Sequence, residues 1–315
     1  MNLLITLLLA TATLPHSPDL YVSGFFAPGV FRYYGPLSAT QGARPAPGQT
    51  GATYARAFSR RPWGLAFGPD GNLYVASLFG SGDAIVRLRG PFNATPGVAE
   101  HIVSDGSFYD VAFGPDGNLY AASAGPIRRY DIVTGQLIDA FTKGHDLAET
   151  RGIAFGPDGN LYVSNYDSAN NKGEIVRFDG QTGAFIDVYV PNGRGGLQQP
   201  YKLAFGPTGE LFVANWTALD GNNILKFFSP AQSRVGWPVV ARGGGGSAAF
   251  ITRPNFSPLY IAFGPDRNLY VSDTDNSGSM GSVLRFNGAT GAFIDVFAAN
   301  IEGGPRGIAF GIGAQ

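Results

Sequence analysis

Short apolar runs alternate with turn phrases along most of the chain. The unit is clearest at Arg151–Val190, "RGIAFGPDGNLYVSNYDSANNKGEIVRFDGQTGAFIDVYV". "GIAF" is an apolar run of strand length. "GPDG" is a turn phrase: Pro presets φ, and Asp-Gly tolerates a tight reversal. "NLYVSN" reads as a second strand, "EIVRF" as a third with alternating faces, and "AFIDVYV" as a fourth after the turn "DGQTG". Four short antiparallel strands joined this way make a meander.

The phrase "FGPDGNLY" at Phe67–Tyr74 returns unchanged at Phe113–Tyr120 and Phe155–Tyr162, with near-copies at Phe205–Phe212 and Phe263–Tyr270. One such sheet cannot bury both of its faces. Copies arranged around an axis can, which predicts a β-propeller. Second strands begin at Leu20, Leu73, Leu119, Leu161, Leu211 and Leu269, so the expected blade number is six. The first lacks an "AFGP" strand before it, and the last "GIAFG", Gly307–Gly311, lacks an "NLYV" strand after it. The two leftovers complete each other. The reading is therefore an all-β, six-bladed propeller of four-stranded antiparallel blades over residues 18–315, closed by a C-terminal strand completing the N-terminal blade. Such closure removes an open sheet edge.

Composition changes this picture little. The formal net charge of the 315 residues is −1, which speaks against nucleic-acid binding through a broad basic surface. The 46 Gly and 22 Pro recur at fixed places in the repeats and act as turn residues. No cysteine is present, which excludes disulfides, thiolate metal sites and a Cys nucleophile. Residues 1–17 hold an apolar run, Leu3–Leu9, followed by Ala10-Thr11-Ala12. This reads as a signal peptide and short lead-in, and predicts a secreted, periplasmic or cell-surface protein. No other stretch is long and apolar enough to span a bilayer. A monomer is expected.

Strand direction sorts the loops into two rims. The "GPDG" and "DGQTG"-type turns share one rim and are nearly invariant. The loops before "AFGP" and after "LYV" share the other and vary, as loops that carry binding residues usually do. At the mouth of the central channel on that variable rim, one register position holds Trp63, Tyr109, Arg151, Tyr201, Leu259 and Arg306 around the ring. Arg151 and Arg306 fall three blades apart of six, and so face each other, with Lys202 nearby. Guanidinium groups fork to oxyanions and aromatic walls take flat apolar faces. The candidate ligand-binding residues are therefore Arg151, Arg306, Trp63, Tyr109 and Tyr201, with Trp216 as a rim aromatic. The alternative is that the arginines pair with local carboxylates and only close the channel.

The second-strand ends on this rim are Gly24, Ser77, Ser123, Asn165, Asn215 and Asp273, in loops rich in Asn, Asp and Ser. Asp273, Asp275, Asn215 and Asn165 are candidate oxygen ligands for Ca²⁺ or Mg²⁺. The competing reading is that they make Asx-turns and cap loop backbones.

"RGIAFGPDGNLYVSN" with "EIVRFDGQTGAF" resembles NHL-repeat propellers and the related six-bladed streptogramin B lyases and gluconolactonase-type hydrolases, from about Leu20 onward. The resemblance is specific for fold and weak for activity, since one scaffold hosts many functions. For a gluconolactonase it implies a divalent metal in the channel held by Glu, Asn and Asp. The corresponding positions here are Trp63, Tyr109, Arg151, Tyr201, Leu259 and Arg306, none of them a carboxylate or Asn. For a streptogramin lyase it implies His and Glu near the channel, with Mg²⁺. Of the three histidines, His16 precedes the propeller, His101 lies in an outermost strand and only His145, in "TKGHDLAETRG", falls on the variable rim. His145, with Asp146 and Glu149 near, is the candidate base. The primary reading is a non-catalytic module. It binds a small anionic or carbohydrate-like ligand, or a partner segment, at the channel mouth. The second is a metal-assisted lyase or lactone hydrolase, and the third a purely structural interaction protein.

Overall fold

A computed structural model describes residues 18–26, 28–44, 53–55, 61–78, 84–104, 106–217, 221–232, 236–239, 247–274 and 280–311. The described residues form six four-stranded antiparallel sheets. These are the six blades expected. The innermost strands are Pro305–Phe310 (blade 1), Arg61–Phe67 (blade 2), Asp110–Phe113 (blade 3), Glu149–Phe155 (blade 4), Gln199–Phe205 (blade 5) and Pro258–Phe263 (blade 6). In blade 1, Pro305–Phe310 pairs with Leu20–Gly24 in the register Leu20↔Phe310, Tyr21↔Ala309 and Val22↔Ile308. The predicted closure of the ring is thus present. The expected signal segment, residues 1–17, and the Gly-rich stretch Arg242–Gly246 lie outside the described residues.

The repeated phrase builds one rim. In blade 3, the Asp116 carboxylate accepts the Asn118 backbone N–H at 3.1 Å, the Asn118 amide at 2.8 Å and the Tyr120 hydroxyl at 3.0 Å. The set recurs through Asp70 and Tyr74, Asp158 and Tyr162, and Asp266 and Tyr270. Between Asp and Asn sits a residue of positive φ, Gly117 at 77° in blade 3. Blade 6 puts Arg267 there, at φ 63°. Cross-strand pairs such as Arg177 with Asp187, at 3.1 and 2.6 Å, tie the third strand to the outermost one.

The apolar core is divided into six wedges, each between two neighbouring blades. One wedge packs Tyr120, Ile127 and Phe141 of blade 3 against Ile153, Leu161 and Phe178 of blade 4. A single blade leaves these side chains in water, so burial of the order of 25 cal/mol per Å² of apolar surface is realised only in the assembled ring. Among the described residues no helix is long and apolar enough to cross a membrane.

Candidate functional site at the channel mouth

Each innermost strand enters the channel from the variable rim, and in five of the six blades its register against the second strand breaks at the mouth. In blade 4, Thr150 pairs with Asn165 and Gly152 with Ser164, leaving Arg151 as the extra residue. A bulge re-aims side chains and ends simple alternation. Two successive positions per blade therefore face the axis, and they form two tiers.

The upper tier is the predicted ring. Arg306 lies with Cζ 5.0 Å from the Phe25 ring and 5.1 Å from the Trp63 ring. Trp63 meets Tyr109 edge-on, with centroids 5.7 Å apart. Arg151 stands 4.2 Å from the Tyr166 ring and 4.6 Å from the Tyr201 ring, and Tyr201 in turn meets Trp216 at 5.6 Å. The six predicted ligand-binding residues thus fall into one aromatic collar bearing two guanidinium groups. Leu259 is buried in blade 6.

The two arginines differ in charge balance. Arg151 donates to Glu149 Oε2 from Nη2 at 2.7 Å and from Nε at 3.2 Å. Arg306 is 7% exposed and has no carboxylate partner among the described residues; its Nη1 donates to the Pro305 carbonyl at 3.2 Å. Burial pushes the Arg306 guanidinium down to about 10, with the Tyr201 hydroxyl opposing. It remains a cation at neutral pH. Three collar donors are buried without any acceptor: Arg306 Nε, Arg151 Nη1 and Trp216 Nε1. Buried polar atoms normally have partners, so three orphans in one collar call for an explanation.

The lower tier, one residue further along each strand, holds Gly64, Asp110, Gly152, Lys202, Tyr260 and Gly307. The Asp110 carboxylate is fully buried. It receives Lys202 Nζ at 2.5 Å, the Ile153 N–H at 2.9 Å and the Tyr260 hydroxyl. Lys202 also donates to the Ile153 carbonyl at 3.1 Å. Burial first, and the Asp110 charge second, hold the Tyr260 hydroxyl well above its ordinary range. The glycines let the strands close: a Cβ on Gly152 falls 2.5 Å from the Tyr201 carbonyl oxygen, and one on Gly307 2.2 Å from that of Trp63. This cluster fills the channel below the collar. Lys202, expected as a further cation at the mouth, is instead consumed in the floor. Asp110 and Tyr260 were missed by the sequence reading. Their signal was the break in a column where Gly64, Gly152 and Gly307 otherwise recur.

The metal candidates form no cluster in the described region. Asn165 accepts the Ala148 N–H at 2.8 Å and donates to Glu174 at 3.0 Å. Asn215 accepts the N–H groups of Gln198 and Gln199 at 2.9 and 3.2 Å, and donates to Asn223 at 3.0 Å. Asp273 accepts the Ser257 N–H at 2.7 Å, and burial pushes its carboxyl above the usual range. All three serve as backbone caps for the strand entry. Asp275 lies outside the described residues. Among the described residues no group of three or more His, Cys, Asp or Glu is placed to hold a metal ion.

His145 sits on the flank of blade 4. It stacks on Phe185 at 4.8 Å and shares a hydrogen with Glu174 at 2.8 Å. It borders two open recesses of about 570 and 350 Å³. The flank has volume, but the groups bonded there are satisfied; the collar has unsatisfied donors. Recognition chemistry favours the collar.

No protein-family model and no curated protein matches the sequence. Solved structures do match. A gluconolactonase from Xanthomonas campestris aligns at TM-score 0.57 and 13% identity, over 93% of this chain and 89% of that one. The PQQ-bound aldose sugar dehydrogenase of Streptomyces coelicolor aligns at TM-score 0.53 and 23% identity, over 78% and 84%. Virginiamycin B lyase of Staphylococcus aureus aligns at TM-score 0.50 and 17% identity, over 80% and 74%. At these identities the likeness establishes the architecture: this chain has the fold of the lyase, lactonase and sugar-dehydrogenase propellers.

Proposed function

We propose that this propeller is an exported, non-catalytic binding module whose channel mouth recognises a small anionic or carbohydrate-like ligand, or a partner segment carrying such a group. The observation that carries the reading is the set of buried, acceptor-less donors: Arg306 Nε, Arg151 Nη1 and Trp216 Nε1. All three need acceptors, and an oxyanion is the acceptor that also balances Arg306. The collar rings supply flat apolar contact. The floor under them blocks the channel below the collar, so a ligand would enter and leave by the variable rim. Export is supported by the apolar run Leu3–Leu9 with the small residues that follow.

The test is calorimetric titration of the full chain with acetate, benzoate, phosphate, gluconate and glucose. Binding of at least one acidic probe is expected, with the Arg151→Ala/Arg306→Ala double variant losing it while its melting temperature stays close to the parent's. Equal affinity in the double variant sinks the site.

A metal-assisted lyase or lactonase is the second reading. The His145–Glu174 pair beside the two flank recesses favours it. It expects turnover of a lactone with added Mg²⁺ that His145→Ala abolishes.

A further inference from the structure

The collar's two arginines stand in unequal electrostatic surroundings. Glu149 is two residues before Arg151 on the same strand and accepts both of the arginine's charge-assisted bonds on one oxygen, Oε2. Burial raises the hydroxyls of Tyr109 and Tyr201; the Glu149 carboxylate adds to this and the Arg151 guanidinium opposes it. Among the described residues no carboxylate stands against Arg306. Arg61, stacked 4.8 Å from the other ring neighbour Phe25, is exposed, and water screens it. Below the collar, Asp110 and Lys202 cancel each other. Around the two arginines the mouth therefore holds two buried cations, one part-exposed anion in Glu149 and a neutral pair beneath, with Asp273 set apart as a cap on the Ser257 N–H.

We infer that Glu149 sets the charge of the ligand: it cancels Arg151, leaves Arg306 as the anchor, and makes the mouth selective for a singly charged carboxylate with a flat apolar body over the doubly charged equivalent. The inference rests on the channel-mouth reading above and narrows it. The anion lies against Arg306, where the guanidinium is backed by Phe25 and Trp63. Its body extends over Trp63 and Tyr109 toward Tyr201. A second carboxylate on the far end of that body meets the Arg151–Glu149 pair, where Glu149 repels it and Arg151, with Nε and Nη2 bound to Glu149, has only Nη1 left to offer. The Glu149 side chain keeps 30% exposure, so solvent screens this repulsion in part and the discrimination expected is modest. Glu149 is thus a specificity-determining residue that acts by exclusion.

The experiment compares benzoate, terephthalate and methyl benzoate by calorimetry on the full chain and on Glu149→Gln, Glu149→Asp and Arg306→Gln. The parent is expected to bind benzoate about tenfold more tightly than terephthalate and to ignore the neutral ester. Glu149→Gln is expected to tighten terephthalate about tenfold with benzoate nearly unchanged. Glu149→Asp keeps the charge and is expected to keep the discrimination. Arg306→Gln is expected to lose benzoate. If binding depends on Arg306 but terephthalate matches benzoate in the parent, or Glu149→Gln leaves their ratio unchanged, the charge filter is wrong and the mouth site stands. Loss of discrimination in Glu149→Asp as well makes the effect steric and overturns the filter. Absence of Arg306-dependent binding by any of the three probes overturns both.

Discussion

The two rims of the disc solve opposite problems. On the turn rim, Asp116, Asn118 and Tyr120 recur almost letter for letter in other blades, and each carboxylate has its full set of donors. At the mouth, six blades put five different pairs of residues on the axis, Arg-Gly alone occurring twice, and donors are left over. The first arrangement is local: the bonds that recur from blade to blade, Asp116 with Asn118 and with Tyr120, join residues two to four apart. The second is global: Asp110 reaches Lys202 across 92 positions and Tyr260 across 150. Repetition secures the scaffold, and departure from it creates a place where chemistry differs from blade to blade.

The sharpest way to break this contrast is Asp110→Ala. It strips a buried lysine of its counter-charge and leaves the Tyr260 hydroxyl without its acceptor, which costs about 3–5 kcal/mol. Denaturant melts should show that loss, and adding Lys202→Met should recover much of it. A change below about 1 kcal/mol would mean that the floor is wet rather than closed. The matching substitution on the turn rim, Tyr162→Phe, removes one bond of 2.9 Å to Asp158 and should cost only about 1 kcal/mol. Blade 5 already lives with Phe212 at that place.

Acid separates the rims by sign. Glu100, on an outer strand, has its carboxyl held below the usual range by hydrogen bonds from Arg89 and Arg87. Its contribution is present above the unfolded pKa and is lost as pH falls through the folded one. Asp273 at the mouth is raised, so the folded state binds the proton more readily than the unfolded. Its ionisation costs stability as pH rises from the unfolded value through the folded one. Asp273→Asn should therefore raise the melting temperature at neutral pH. The gain should vanish in acid below the ordinary carboxylate range, and a gain that persists there would be steric. Blades 4 and 5 carry Asn165 and Asn215 at the equivalent position. The smallest effect expected is for Arg267→Gly. Relief of a left-handed backbone is worth about 1–2 kcal/mol, and the added unfolded-state entropy of Gly returns part of it. A net gain of about 0.5 kcal/mol by chemical denaturation is expected.

The turn rim, the blade count and the closure were readable because their causes lie within a few residues of each other. The collar was readable in part. Register alone put Trp63, Tyr109, Arg151, Tyr201 and Arg306 on one ring. The pairing of Arg151 with Glu149 needed only the knowledge that residues two apart share a strand face. The floor was hidden by the bulges. Strict alternation points Lys202 away from the axis once Tyr201 points toward it, and the break at Pro200/Leu203 undoes that rule. Partners more than ninety positions apart leave no local trace in a single sequence.

Arg306 rides on Pro305–Phe310, the strand that latches onto Leu20–Gly24. The cation proposed as the anchor and the clasp of the ring are therefore one piece. A chain nicked upstream of that strand loses its charge at the mouth in the same event that opens the disc. Conversely, an occupant held by Arg306 pulls on the seam, so occupancy and ring integrity report on each other.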